Sequence, residues 1–161
     1  MNIFVLSDDP IQAAKYHCDK HVVKQLLETA QILCSVFHLQ GITAPYRLTH
    51  RNHPCNKWIR EAPANFVWTL VLGKALCKEY TERYGKIHKS EEVLKWVEEN
   101  YHHLTFPQIE MTPFALAMPE QYKQADAVEA YRNYYRFEKH HLHQWKQNRP
   151  DWLLTTSKTN V

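Results

Sequence analysis

Glycine is scarce in this chain, which has only three in 161 residues. Tight β-hairpin turns depend on residues that adopt positive φ, and glycine adopts it most readily, so a sheet built from hairpins is disfavoured. Long apolar runs are also lacking, and no segment approaches the roughly 20 apolar residues that a membrane-spanning helix requires. The sequence therefore predicts a mainly helical protein with no membrane partner.

Closely spaced cysteines are lacking as well. The four cysteines form no C-x-x-C pair of the kind found in zinc or redox sites. A chain of 161 residues is long enough for one domain with its own apolar core, so a disulfide framework is not required. The N-terminal apolar run is short and is followed by two acids, unlike a signal peptide. We expect a cytoplasmic protein with reduced thiols.

Strong net charge is absent, at +3 from 20 basic and 17 acidic residues, but basic residues concentrate near the C-terminus. Between positions 131 and 149 there is one acid, and aromatic and histidine residues lie among the basic ones. Cations hold phosphates and aromatic rings stack on bases, so this segment is a candidate nucleic-acid surface, although core packing is the alternative for at least half of the aromatics. The basic residues are Arg132, Arg136, Lys139, Lys146 and Arg149.

Apolar residues recur at three- and four-residue steps, with proline, aspartate and glycine at the boundaries. The pattern predicts an all-α, compact single-domain helical bundle, with residues 3–6 as a possible extended segment. Residues 1–85 would form its core, and residues 86–161 an extension with a proline-rich loop, a basic aromatic final helix and a mobile tail after Trp152. The predicted helices cover residues 10–17, 19–41, 64–84, 90–100 and 126–147, with another beginning at Pro54.

Polar residues recur at helical spacing near the start of the second predicted helix. His17, His21, Lys24 or Gln25, and Glu28 would stack along one side of it, beside an apolar face. A carboxylate next to imidazoles and partly shielded from water is suited to proton transfer, so Glu28 is the leading catalytic candidate. The alternative is an ordinary solvent-exposed helix face.

His17 and His21 are four residues apart, a spacing at which two imidazoles can share one metal ion. No third ligand follows at a clear spacing. The main prediction therefore includes no metal and no cofactor, and a site on these two histidines is a secondary hypothesis.

A second polar cluster lies in residues 46–54. Its arginines, Arg47 and Arg51, precede a helix start at Pro54, where free amides also favour a phosphate. Asn52 and His53 add further polar groups. The alternative is that Asn52 and His53 only cap the following helix.

These segments resemble, in order and spacing, the pyrimidine-dimer DNA glycosylases of the endonuclease V type and their bacterial relatives. Residues 20–28 (KHVVKQLLE) are similar to the family segment in which a basic or histidine residue precedes the functional glutamate by seven positions. Residues 51–54 (RNHP), followed by Trp58, are similar to a second block. With residues 2–5 (NIFV), the resemblance covers residues 1–84.

The resemblance implies a helical fold whose N-terminus threads between helices toward the active site. In that family the terminal amine attacks a sugar carbon of a damaged nucleotide and forms a Schiff base, assisted by the glutamate. Transferred to this sequence, Glu28 would be the acidic catalyst, with His21 and His53 beside it and Arg51 near a phosphate. The partner would be duplex DNA with a damaged or modified base.

The second position departs from the family. Its best-known members expose a threonine amine after losing the initiator methionine, whereas Asn2 is large and usually leaves Met1 in place. The nucleophile is then the Met1 amine or a lysine, Lys20 or Lys24, unless the scaffold performs other chemistry. Two other functions stay open: a nucleotide- or RNA-modifying enzyme using His17, His21 and Glu28, with or without a metal, and a non-enzymatic nucleic-acid-binding module.

Overall fold

The computed structural model describes residues 1–153, which fold into helices joined by irregular segments. No strand occurs within that range, so the all-α prediction is confirmed. The α-helices are α1 (Pro10–Tyr16), α2 (Asp19–Leu39), α3 (Pro54–Ile59), α4 (Pro63–Tyr84), α5 (Ser90–Asn100) and α6 (Ala127–Glu138). Three 3₁₀ turns lie at Tyr101–His103, Glu120–Tyr122 and His140–Leu142.

The helix boundaries follow the capping residues of the sequence. Asp9 accepts a hydrogen bond from the backbone N–H of Ile11 at 2.9 Å, and Pro10 occupies the first turn of α1. Gly85 ends α4 in the left-handed conformation, with φ 68°. Glycine adopts this conformation at a lower free energy than residues with a side chain do. These local signals account for the agreement between predicted and observed bounds of α1 and α4.

The core lies mainly between α2 and α4, with α1 and α5 packed around them. Gly73 allows α4 to approach both neighbours, because a Cβ there would lie 3.1 Å from the Leu94 side chain and 3.3 Å from Thr29. Phe37 and Phe66 are fully buried and meet edge to face across the interface. Burying each such side chain stabilises the fold by roughly 1.5–3 kcal/mol.

The apolar run at residues 3–6 is buried but does not form a strand. Each of its side chains is at most 3% exposed, and the run threads between α2 and α6. Phe4 stacks on His21 of α2 at a centroid distance of 4.6 Å and meets the ring of Tyr135 of α6 at 5.4 Å. Packing, rather than pairing with another strand, holds this segment in place.

A buried ion network joins the first two helices to α4. The guanidinium of Arg83 contacts Asp19 at 3.0 Å and Glu79 at 2.9 Å, and it donates hydrogen bonds to the carbonyls of Lys15 and His17. Because the Arg83 side chain is fully buried, these partners replace the water that it loses on folding. The network fixes the turn from which α2 begins.

The last predicted helix is shorter than expected, because α6 ends at Glu138 and not near residue 147. After Lys139 the chain turns back: the His143 ring is hydrogen-bonded to the Tyr135 carbonyl at 2.9 Å, and the Trp145 indole donates to the Tyr16 carbonyl at 2.9 Å. These long-range bonds replace the helical ones.

The proline-rich stretch is irregular as predicted, apart from the turn at Glu120–Tyr122. Most of the predicted tail after Trp152 lies outside the described residues. Within residues 1–153, no helix combines the length and apolar character needed to cross a membrane.

Candidate active site at the amino terminus

The amino nitrogen of Met1 lies 3.0 Å from Oε1 of Glu28, in the middle of α2. The Glu28 side chain is 12% exposed, whereas Lys24, one helical turn earlier, is 70% exposed with its Nζ 4.0 Å from Oε2 of Glu28. The structure therefore brings together two of the predicted site residues, Met1 and Glu28, and places Lys24 at their solvent side.

Asn2 anchors the chain next to this pair. It is 8% exposed, and its side-chain amide donates a hydrogen bond to the Ala117 carbonyl at 2.7 Å. Its side-chain oxygen accepts a hydrogen bond from the backbone N–H of Ile3 at 2.8 Å and lies 3.4 Å from the Tyr131 hydroxyl oxygen. These contacts fix the direction in which Met1 approaches α2.

His53 borders the same site from the start of α3. Its Nδ1 accepts a hydrogen bond from the backbone N–H of Cys55 at 3.0 Å, so His53 caps α3. The pKa of His53 is lowered, first by burial and then by the positive charge of the Met1 amine, while a hydrogen bond with the Met1 backbone opposes the shift. The His53 ring thus caps a helix and contacts the terminal residue.

His21 and His17 are buried in the core. His21 stacks on Phe4, and its Nδ1 is hydrogen-bonded to the Tyr135 hydroxyl at 2.6 Å. Burial, followed by the charge of His17, lowers the pKa of His21 to about 3. Burial lowers the pKa of His17 to about 4. Both rings are therefore neutral near pH 7.

The single polar stripe predicted for α2 is wrong at one end. His17 caps the end of α1, before Cys18 and α2, because the backbone turns there and the Arg83 guanidinium binds the His17 carbonyl. The rings of His17 and His21 are 6.4 Å apart, centroid to centroid. Residues 1–153 contain no group of three or more metal-ligating side chains that could hold an ion.

The loop before α3 presents its polar residues to solvent. Arg47, Arg51 and Asn52 are exposed, and Arg51 lies two residues before His53. The loop therefore presents cations at the protein surface.

The basic residues of α6 are mostly used within the protein. Arg132 donates to the Leu6 carbonyl at 3.0 Å and lies over the Trp152 ring, while Arg136 is paired with Glu129 at 2.8 Å. Lys139 lies over the Tyr134 ring, 5.0 Å from its centroid, and its charge contributes to the lowered pKa of His21.

Three positioning residues were not predicted for the site: Asn2, Tyr131 and Tyr135. Asn2 is the one polar residue ahead of a buried apolar run, a signal that could have marked it. The tyrosines carried no such signal, because Asn2 and His21, which they contact at the site, are more than 110 residues away in sequence.

The arrangement places an amino group against a carboxylate. An amine can attack an electrophilic carbon, and a carboxylate in contact with it can accept and return the protons that this attack releases.

The family model described as pyrimidine dimer DNA glycosylase matches residues 1–93, which include the Met1 and Glu28 pair and the loop that leads to His53. No curated protein and no solved structure matches the chain significantly. The matched region is more than half of the 161 residues. The chain belongs to the pyrimidine dimer DNA glycosylase family.

Proposed function

We propose that this protein excises a damaged or modified base from duplex DNA and cleaves the resulting abasic site, with the Met1 amine as nucleophile and Glu28 as the acid and base. The observation that carries the proposal is the 3.0 Å contact between the Met1 amino nitrogen and Oε1 of Glu28. Family membership supports a DNA glycosylase, and the contact supports a covalent route for it.

The reaction begins with attack of the neutral amine on C1′ of the damaged nucleotide. The new N–C1′ bond forms as the glycosidic bond breaks, and the bonding electrons leave with the base. Opening of the sugar ring then gives a Schiff base between Met1 and the sugar, with loss of an amine proton. Glu28 takes up that proton and returns it to O4′, which receives the electron pair of the broken C1′–O4′ bond. The carboxylate is then free again to accept the C2′ proton, and elimination releases the 3′ phosphate.

The Met1 amine is favoured over the two lysines because of its position. Lys24 is 70% exposed and farther from the carboxylate, and Lys20 is also exposed. Free α-amino groups generally titrate at about 7.7–8.0, against roughly 10.4 for lysine, so more of an α-amine is neutral at physiological pH. The proposal requires Met1 to be the first residue of the working protein, which an intact-mass measurement verifies.

The test is borohydride trapping on ultraviolet-irradiated duplex DNA. The wild-type protein should form a covalent complex that peptide mapping assigns to Met1, and Glu28→Gln should reduce its rate of formation by about 100-fold or more, since it removes the proton acceptor but keeps the shape. Lys24→Gln is the matched control and should be trapped at close to the wild-type rate.

Two results would contradict the proposal. Absence of both base release and trapping by the intact wild-type protein would exclude the glycosylase reaction. Trapping at a lysine would exclude the assigned nucleophile.

A further inference from the structure

A polar cleft opens between the end of α2, the end of α3 and residues 105–107. It has a volume of about 350 Å³. Arg51 and Arg60 line one side, and Val36 and Leu39 of α2 contribute apolar surface. No acidic side chain lines it within the described part of the chain. The cleft is therefore both cationic and partly apolar.

Arg60 is held in one orientation by its neighbours. Its Nη1 donates hydrogen bonds to the Arg51 carbonyl and to Oδ1 of Asn56, both at 2.9 Å. Asn56 is fully buried and donates in turn to the Thr49 carbonyl at 3.0 Å. Because only Nη1 is used in these bonds, the rest of the planar guanidinium is available for a ligand.

The two arginines have no carboxylate partner among residues 1–153. Burial, and then the positive charge of Arg51, lower the pKa of Arg60. Two neighbouring guanidinium groups repel each other, and an anion between them would remove that repulsion.

A pair of hydrogen bonds holds another part of the cleft lining. The side chain of Gln40 donates to the Thr105 carbonyl at 2.8 Å and accepts from the Thr105 backbone N–H at 3.0 Å. This paired bond fixes the loop after α5 against the end of α2. The cleft is thus formed before any ligand arrives, which reduces the entropy lost on binding.

We propose that this cleft binds one backbone phosphate of the DNA strand, with Arg51 and Arg60 on the phosphate oxygens and the adjacent sugar against Val36 and Leu39. The inference rests on the proposed DNA substrate and assigns to it a second contact outside the Met1 and Glu28 site.

The spacing on α2 separates this contact from the Met1 and Glu28 site. Val36 follows Glu28 by eight residues, or about 12 Å along the helix axis. This distance is several times the roughly 3.4 Å spacing of phosphates along one strand, so the cleft would hold a phosphate other than that of the damaged nucleotide.

The experiment measures the salt dependence of binding to an unmodified duplex, which involves no base removal. Loss of one phosphate contact lowers the slope of log affinity against log salt by about 0.9, so wild-type affinity should fall about 3.5-fold more than that of a variant with both Arg51→Gln and Arg60→Gln between 50 and 200 mM salt. Each single glutamine variant should lose part of this slope because the other arginine remains, and Arg60→Lys should retain most of it. Lys78→Gln, an equal charge change on α4 outside the cleft, should leave the slope unchanged.

Thermal unfolding of each variant checks folding, and Arg51→Gln keeps the test valid if Arg60→Gln is unstable, because Arg51 is exposed and its carbonyl remains. Unchanged slopes in both folded glutamine variants would overturn the cleft assignment, whatever the trapping result. Trapping can fail while the slopes change as expected, and that pattern would reject the glycosylase reaction but retain the strand contact. Competition by inorganic phosphate at constant ionic strength, abolished by Arg60→Gln, would show that the duplex occupies the cleft through a phosphate group and would support the proposal.

Discussion

The side-chain amide of Asn2 donates a hydrogen bond to the carbonyl oxygen of Ala117, 115 residues later in the chain, at 2.7 Å. Ala117 is part of an irregular segment that Tyr131 also holds, since its hydroxyl donates to the Ala115 carbonyl at 2.6 Å. Both partners lie beyond the region matched by the family model, which ends at residue 93. The C-terminal half therefore helps to place the terminal amine beside Glu28.

Replacing Asn2 with leucine should impair trapping more than folding. Leucine is similar in size, and as a large second residue it leaves Met1 in place, but it cannot bond to Ala117. An unpaired buried carbonyl costs about 1–3 kcal/mol, so we expect displacement of the amine and trapping at least roughly tenfold slower. Single-turnover trapping measures this rate, and intact mass confirms that Met1 is present. Trapping at the wild-type rate would show that Asn2 does not position the amine.

The sequence predicted the long helices well because their signals are local. Pro63 begins α4, Gly85 ends it, and apolar residues at helical spacing fill the interval. The last helix was predicted nine residues too long, since its aromatic and histidine residues continue the helical spacing past Glu138. Its end depends on bonds to distant groups, such as that from the Trp145 indole to the Tyr16 carbonyl.

The candidate site was likewise predictable where its signals were local in sequence. Glu28 stood out as a carboxylate near histidines, and the family resemblance implied a nearby N-terminus. The burial of His21 was not predictable, because its neighbours Phe4 and Tyr135 come from both ends of the chain. A spacing pattern on one helix does not report which of its polar residues another segment covers.

Replacing Arg83 with methionine should destabilise the fold strongly. Methionine fills a similar volume but leaves Asp19 and Glu79 buried without their cation. Removing one partner of a buried ion pair costs about 3–5 kcal/mol, which urea unfolding measures as a lower free energy of unfolding. Lys78→Met, an exposed site on the same helix, is the control and should change stability by less than about 0.5 kcal/mol. A similarly small effect of Arg83→Met would mean that the network contributes little.

Stability should fall as the pH is lowered below the ordinary histidine range. In the folded protein the pKa of His17 is lowered from 6.5 to about 4 and that of His21 to about 3. The unfolded chain therefore binds these protons first, and the stabilisation is complete above about 6.5 and is lost progressively as the pH falls toward the folded values.

His21→Phe tests this pH dependence. Phenylalanine keeps an aromatic ring against Phe4 but cannot bind a proton. Between about pH 6 and pH 4, its free energy of unfolding should depend less steeply on pH than that of the wild type, by about 1.4 kcal/mol per pH unit. Chemical unfolding at a series of pH values gives both slopes. Equal slopes would indicate that His21 is not buried in the neutral form.

His53 should affect both stability and catalysis, and two substitutions separate the effects. Asparagine can replace the Nδ1 cap on Cys55 but cannot reach the Met1 backbone as the ring does. His53→Asn should therefore unfold near the wild-type temperature yet be trapped more slowly, whereas His53→Ala should also lose about 1 kcal/mol of stability with the cap. If both variants are trapped at the wild-type rate, the His53 ring acts only as the cap of α3.

The pH dependence of trapping gives an independent measure of the same contact. The lowered pKa of His53 keeps the ring neutral near pH 7, next to the positive charge that the Met1 amine carries when protonated. At acid pH the ring gains a proton, which prevents Nδ1 from accepting the Cys55 bond and adds a like charge beside the amine. Wild-type trapping should then decrease toward acid pH more steeply than trapping by His53→Asn, which has no group to protonate at that position. Parallel pH profiles for the two proteins would show that protonation of His53 does not affect the reaction of the Met1 amine.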